Sequence, residues 1–141
     1  MRNRTIVLTG VLAALVVATA AAHVTIAPAE STLGASERYT VRVPTEGRVA
    51  TSGVELDVPM SVTVGSVLAS SGWTSEVRRE GNRIVGISWK VDIPAGHFGE
   101  LVFMARNPKE GAEIAWKVTQ KFADGTSREW TPKTKLVAAQ P

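Results

Sequence analysis

Between Arg38 and Trp130 the apolar side chains recur at every second residue, and turn signals interrupt that alternation at short, nearly even intervals. A two-residue period puts successive side chains on opposite faces of an extended chain, so each run reads as a strand with one face toward a core and one toward water. In Arg38–Pro44 the apolar positions are Tyr39, Val41 and Val43, and in Val54–Pro59 they are Val54, Leu56 and Val58. Val85, Ile87, Trp89, Val91 and Ile93 alternate with Gly86, Ser88, Lys90 and Asp92. Ile114, Trp116, Val118 and Phe122 alternate with Ala115, Lys117, Thr119 and Lys121. Turn residues separate these runs at Pro28, Glu46-Gly47, Gly72, Glu80-Gly81-Asn82, Pro94-Ala95-Gly96, Asn107-Pro108 and Asp124-Gly125. No window carries a helical period. The pattern predicts an all-β chain of about seven to nine short strands, folded as an antiparallel β-sandwich of immunoglobulin- or cupredoxin-like character.

The first residues follow another rule. Arg2 and Arg4 precede an apolar run from Ile6 to Val17 and a small-residue stretch, Ala18-Thr19-Ala20-Ala21-Ala22, which is the order of a secretory signal. A cut after Ala22 places Ala20 and Ala22 at the small positions of the cleavage site, and cuts after Ala20 or Ala21 fit nearly as well. The run is shorter than the ~20 residues of a membrane-spanning helix, and Arg2 and Arg4 are not an adjacent pair. The expected organisation is a signal peptide over 1–22, one domain over 23–135 and a short tail over 136–141, exported to the periplasm or the exterior without a membrane anchor. The formal charge of +3 drops close to neutral once Arg2 and Arg4 leave. No basic cluster longer than Arg78-Arg79 remains, so a nucleic-acid surface is not expected. The absence of cysteine excludes disulfides, thiolate metal sites and cysteine nucleophiles.

Cleavage after Ala22 would make His23 the first residue. A terminal histidine offers its α-amine and its imidazole to one metal ion together, which an internal histidine cannot do. Glu100 lies in Phe98-Gly99-Glu100-Leu101-Val102-Phe103-Met104-Ala105, a strand apolar on both faces, so its carboxylate is expected to be partly buried and to need a cation. From spacing alone an Arg or Lys partner is the first reading, with a strand-end position reaching water as another. If Asp124-Gly125 alone forms a hairpin loop, Trp130 falls opposite Thr119, on the face of Lys117 and Lys121, where it would cover a sheet edge or wall a site; a bulge in the loop would reverse that placement. Trp73, Trp89 and Trp116 read as core. His97, the other histidine, reads as a surface turn residue that would join His23 only if the Ala95-Gly96 turn twisted the strand start. No nucleophile elbow, G-x-G-x-x-G, P-loop, HExxH or EF-hand spacing is present.

His23-Val24-Thr25-Ile26-Ala27-Pro28, Tyr39-Thr40-Val41-Arg42-Val43-Pro44, Ser71-Gly72-Trp73-Thr74, Ile87-Ser88-Trp89, Gly96-His97-Phe98-Gly99-Glu100 and Gln120-Lys121-Phe122-Ala123-Asp124-Gly125-Thr126-Ser127-Arg128-Glu129-Trp130, in that order and spacing, resemble the YcnI-like family of secreted bacterial copper-binding domains. The resemblance covers essentially the whole chain after the signal. It implies a β-sandwich that binds Cu(II) through a mono-histidine brace, with the terminal amine and imidazole on His23, the carboxylate on Glu100 and a neighbouring tryptophan at Trp130. Many relatives continue into a membrane anchor after the domain, which is not expected here, and Leu101 stands where relatives often have an aromatic residue.

Nitrogen and carboxylate ligands suit Cu(II), whereas Met60 and Met104 alone do not make a sulfur site for Cu(I). Protons would compete for a free α-amine, whose ordinary pKa is roughly 7.7 to 8.0, so affinity is expected to fall as pH drops. The expected function is non-enzymatic: an exported protein that acquires, buffers or delivers copper, with another copper-handling protein as a partner. Two alternatives are a brace-type copper oxidase acting on polysaccharide, which would need His97 as a second ligand, and a metal-free adhesion or partner-binding sandwich.

Overall fold

The computed structural model describes residues 22–141, and the body of the proposed signal lies outside the described residues. Twelve strands follow in order: β1 (Thr25–Ala27), β2 (Glu30–Thr32), β3 (Ser36–Pro44), β4 (Thr51–Asp57), β5 (Thr63–Val67), β6 (Thr74–Glu80), β7 (Arg83–Ile93), β8 (Phe98–Arg106), β9 (Glu113–Ala115), β10 (Lys117–Phe122), β11 (Ser127–Trp130) and β12 (Lys133–Val137). There is no helix among the described residues. The strand count exceeds the expected seven to nine because β1, β2 and β9 are three residues each, too short to display a period.

A four-stranded sheet in the order β1-β3-β8-β5 and a five-stranded sheet in the order β11-β10-β4-β7-β6 supply the two faces of the sandwich, and a three-stranded sheet, β2-β12-β9, completes it. The alternation read from the sequence is what packs between them. Tyr39, Val41 and Val43 of β3 and Leu101 and Phe103 of β8 meet Val54 and Leu56 of β4, Ile87 and Trp89 of β7 and Val118 of β10 in one buried cluster. Tyr39, Phe103 and Trp116 form its aromatic centre, with ring centroids 4.9 to 5.6 Å apart, a spacing at which edge-on and offset contacts are favourable. Trp116 sits where the chain leaves one sheet for another, between β9 and β10, and its indole N–H donates to Thr134 Oγ1 at 3.1 Å.

Three sequence readings shift. Ile84 rather than Val85 points inward, because the β6–β7 register slips between Arg78 and Arg79, and an extra residue in one strand reverses which side chains face the core. Leu136 is buried and β12 runs through Val137, so the domain extends past residue 135. Trp73 is only partly buried, packed against the core rather than within it.

Candidate metal centre

The site forms where two sheet edges face one another. β1 is an edge of the four-stranded sheet and β11 an edge of the five-stranded one. Val24 and Ile26 are buried and β1 pairs with β3 through Thr25↔Arg42 and Ile26↔Val41, so burial of Val24 anchors His23, two residues before the strand. From the other edge Trp130 meets it: the two ring centroids are 5.1 Å apart at an interplanar angle of 45°.

Trp130 reaches that position through a loop longer than two residues. Phe122 N–H donates to Thr126 O, Gly125 N–H donates to Phe122 O, and Gly125 adopts φ +86°, so Ala123-Asp124-Gly125 form a three-residue turn whose last position needs the left-handed conformation that glycine takes without strain. The pairing becomes Val118↔Trp130, with Gln120↔Arg128, instead of the Thr119 register that a two-residue loop implies. One residue of slip moves the side chain to the other face. Trp130 therefore shares the side of buried Val118 and Gln120 and looks across the gap to His23.

Glu100 does not join them. It lies directly across β3 from Thr25, in the row Thr25–Arg42–Glu100. Two strand spacings and two residues along the strand separate its Cα from that of His23 by about 12 Å, with Arg42 between. Its carboxylate pairs with Arg42 at 3.5 Å and is 45% exposed. Both faces of β8 are apolar, as the sequence says, but the outer face is only partly covered: Val102 is buried, while Phe98 and Met104 on that side are exposed. The arginine partner, the first reading from spacing, is the one found.

The carboxylate that does reach the chain next to His23 is Glu46, which the sequence presents only as part of the Glu46-Gly47 turn. Its Oε1 accepts the backbone N–H of Ala22 at 2.6 Å, one peptide unit from the nitrogen of His23. Glu46 follows Thr45, which is buried and held on every side. Thr45 N–H donates to His97 O at 2.9 Å, Gly96 N–H donates to Thr45 O at 2.9 Å, and Thr45 Oγ1 donates to Ile93 O at 3.0 Å. The His97 turn thus supports the site through its main chain, while its exposed ring turns back on Ala95 O, with Nδ1 at 3.2 Å.

A small cavity of about 60 Å³ is bounded by Ala22, Pro44, Glu46, Gln120, Arg128 and Trp130, among others. A larger cleft of about 340 Å³ is lined by His23, Val24, Ile26, Trp130 and Pro132, among others, so Trp130 borders both. Neither is lined by Glu100 or His97. The Arg128 guanidinium stacks 4.5 Å from the Trp130 ring, a cation–π distance. Among the described residues no cluster of three or more His, Cys, Asp or Glu side chains could hold a metal.

Residues 23–141 match the family described as a domain of unknown function, DUF1775. The chain belongs to the DUF1775 family. The resemblance to YcnI-like domains thus holds across the domain. This DUF1775 chain is 35% identical over 117 residues to a protein of Bacillus subtilis named copper-binding protein CutI; the alignment spans 81% of this chain and 57% of that relative, little more than half its length. Among solved structures, an uncharacterised protein from Nocardia farcinica with an immunoglobulin-like fold matches at 23% identity with a TM-score of 0.73, over 82% of this chain and 98% of that one. A cohesin module of a Clostridium perfringens family 33 glycoside hydrolase matches at 12% identity with a TM-score of 0.59, over 83% of this chain and 97% of that module. Both likenesses bear on the fold alone, and the first establishes it here as an immunoglobulin-like sandwich. No helix of the described residues is long and apolar enough to cross a membrane.

Proposed function

We propose that this protein is exported, that its signal is removed after Ala22, and that the new terminus binds Cu(II), so that the protein acquires, buffers or hands on copper without catalysing a reaction. The observation that carries the reading is the convergence of His23, Trp130 and Glu46 at one end of the sandwich, with Glu46 beside the main-chain nitrogen adjacent to His23. The family match beginning at residue 23 and the copper-binding name of the Bacillus subtilis relative support it. In this reading His23 supplies its amine and imidazole, Glu46 supplies oxygen and negative charge, and Trp130 walls the ion from water. Two nitrogens and a carboxylate are a donor set that Cu(II) favours over the other first-row divalent ions. Glu46 takes the part that the family resemblance would give to Glu100.

The test compares protein that begins at His23 with the same protein acetylated on the His23 nitrogen. Acetylation removes the free amine without creating a new one, so the imidazole loses the donor that would close the chelate. Cu(II) titration followed by calorimetry should give one tight site in the first form and an affinity lower by at least about a hundredfold in the second, the upper end of what even losing an outer-shell partner costs. Equal affinity in the two forms would overturn the brace.

A further inference from the structure

We propose that Gln120 is the positioning residue of this site: its buried carboxamide fixes the Trp130 indole relative to the strand that carries Glu46. The inference rests on the copper reading for its purpose but not for its geometry. Trp130 ends a four-residue edge strand, Ser127–Trp130, that pairs on one side only, the kind of element that frays. Its ring packs loosely against the core, and three further groups meet it. Arg128 and His23 are exposed, and neither can hold a plane still by itself. Gln120 is 2% exposed, and its Oε1 accepts the indole N–H at 3.1 Å.

The rest of the amide is equally committed. Its NH₂ donates to Pro44 O at 2.9 Å and to Thr51 Oγ1 at 2.8 Å. Thr51 and Thr45 share a hydroxyl contact at 2.6 Å, and Thr45 donates onward to Ile93 O at 3.0 Å. Since each hydroxyl has one proton, the chain runs in a single sense: Gln120 to Thr51, Thr51 to Thr45, Thr45 to the carbonyl. The reverse orientation of the amide would set its NH₂ against the indole N–H and its oxygen against the Pro44 carbonyl, so the partners also fix which way Gln120 points.

The consequence is a clamp between sheets. Pro44 ends β3, two residues before Glu46, whereas Trp130 belongs to the five-stranded sheet. One side chain therefore spans the two walls of the cavity. Such a partner, touching a metal-adjacent ring rather than the metal, acts by orientation. A leucine would fill the inward position, but it would leave the indole N–H, the Pro44 carbonyl and Thr51 without this partner.

The test uses Gln120→Leu and, as a variant that keeps side-chain length and flexibility, Gln120→Met. In metal-free protein carrying ¹⁵N-labelled tryptophan, hydrogen exchange of the Trp130 indole should speed up at least about tenfold. The Trp116 indole, held by Thr134 at 3.1 Å, is the internal control and should not change. In protein beginning at His23, Cu(II) affinity should fall about tenfold. Adding either Gln120 substitution to Trp130→Phe should cost nothing further, because the positioned group is already gone. Unchanged Trp130 exchange in both variants would overturn the proposal, as would an affinity loss that adds fully to that of Trp130→Phe. Parallel loosening of Trp116 in both variants would overturn it as well, since it would mark Gln120 as a general packing residue. A wild-type protein that binds no Cu(II) would remove the copper reading, while the indole exchange would still decide the positioning.

Discussion

The two ends of the β3–β8 pair are built from the same device and finish differently. At one end Asn107 is the hub: Tyr39 Oη donates to its Oδ1, and its Nδ2 donates to Ser31 Oγ and to Thr32 O, each at 2.8 Å. At the other end Gln120 is the hub, accepting from Trp130 and donating to Pro44 O and Thr51 Oγ1. Each is a buried carboxamide with its polar sites used, and no buried side-chain nitrogen or oxygen among the described residues lacks a partner. The Asn107 network closes on the fold itself, ending where Ser31 donates to Glu37 at 2.7 Å. The Gln120 network ends on an indole whose ring lies 5.1 Å from that of His23. The difference teaches that a buried polar hub does not mark function by itself; what it terminates on does.

The largest expected effect lies at the closed end. Asn107→Ala strips the buried Tyr39 hydroxyl and the Thr32 carbonyl of their partners, and should cost about 3 kcal/mol of stability. Urea unfolding measures it. Copper titration on the same variant should stay within about twofold of wild type, since distant sites couple weakly. A large loss of copper affinity at full folding would break the division between a structural end and a binding end.

The open end gives the next effect and separates the two candidate carboxylates. Glu46→Gln should weaken Cu(II) binding about tenfold or more, equivalent to about 1.4 kcal/mol, and leave the unfolding midpoint nearly unchanged because Glu46 is exposed. Glu100→Gln removes only an exposed pair with Arg42 at 3.5 Å and should move neither quantity, as exposed pairs contribute little. The opposite pattern would return the carboxylate role to Glu100 and make the Ala22–Glu46 contact incidental.

That contrast shows where the sequence was readable. Tyr39, Val41, Val43, Leu56 and Trp89 announce the core because period-two alternation is local and burial is its direct cause. Trp130 was visible as a site residue, but its face depended on whether the loop at Asp124-Gly125 holds two residues or three, and a single bulged position decides that. Gln120 did leave a signal: it stands in phase with Ile114, Trp116 and Val118, a polar residue at an inward position that had to find buried partners. Glu46 left none. It looks like any turn residue before a glycine, and its importance comes from β1 pairing with β3, a long-range register that brings the N-terminal residues to the strand's far end. The apolar residues on both faces of β8 make Glu100 read as more buried than it is, because they do not show that the outer face is open at Phe98 and Met104.

The smallest effect sharpens the closed end and needs no metal. Tyr39 is the single tyrosine of the chain. Burial pushes its phenol above the ordinary 10.0, with the Glu37 charge acting in the same direction and the Ser31 and Asn107 hydrogen bonds opposing it. A folded pKa raised above the unfolded one means that the native state favours the protonated phenol. Its contribution is complete below about pH 10 and is lost as pH rises through the folded value. Absorbance at the phenolate band should therefore rise later in native protein than in unfolded protein. Tyr39→Phe should cost about 1 kcal/mol at neutral pH, because Asn107 Oδ1 loses its donor, and should flatten the alkaline fall in stability. A native phenol that titrates with the unfolded one would mean that water reaches the Asn107 hub, and the end described as closed would be open as well.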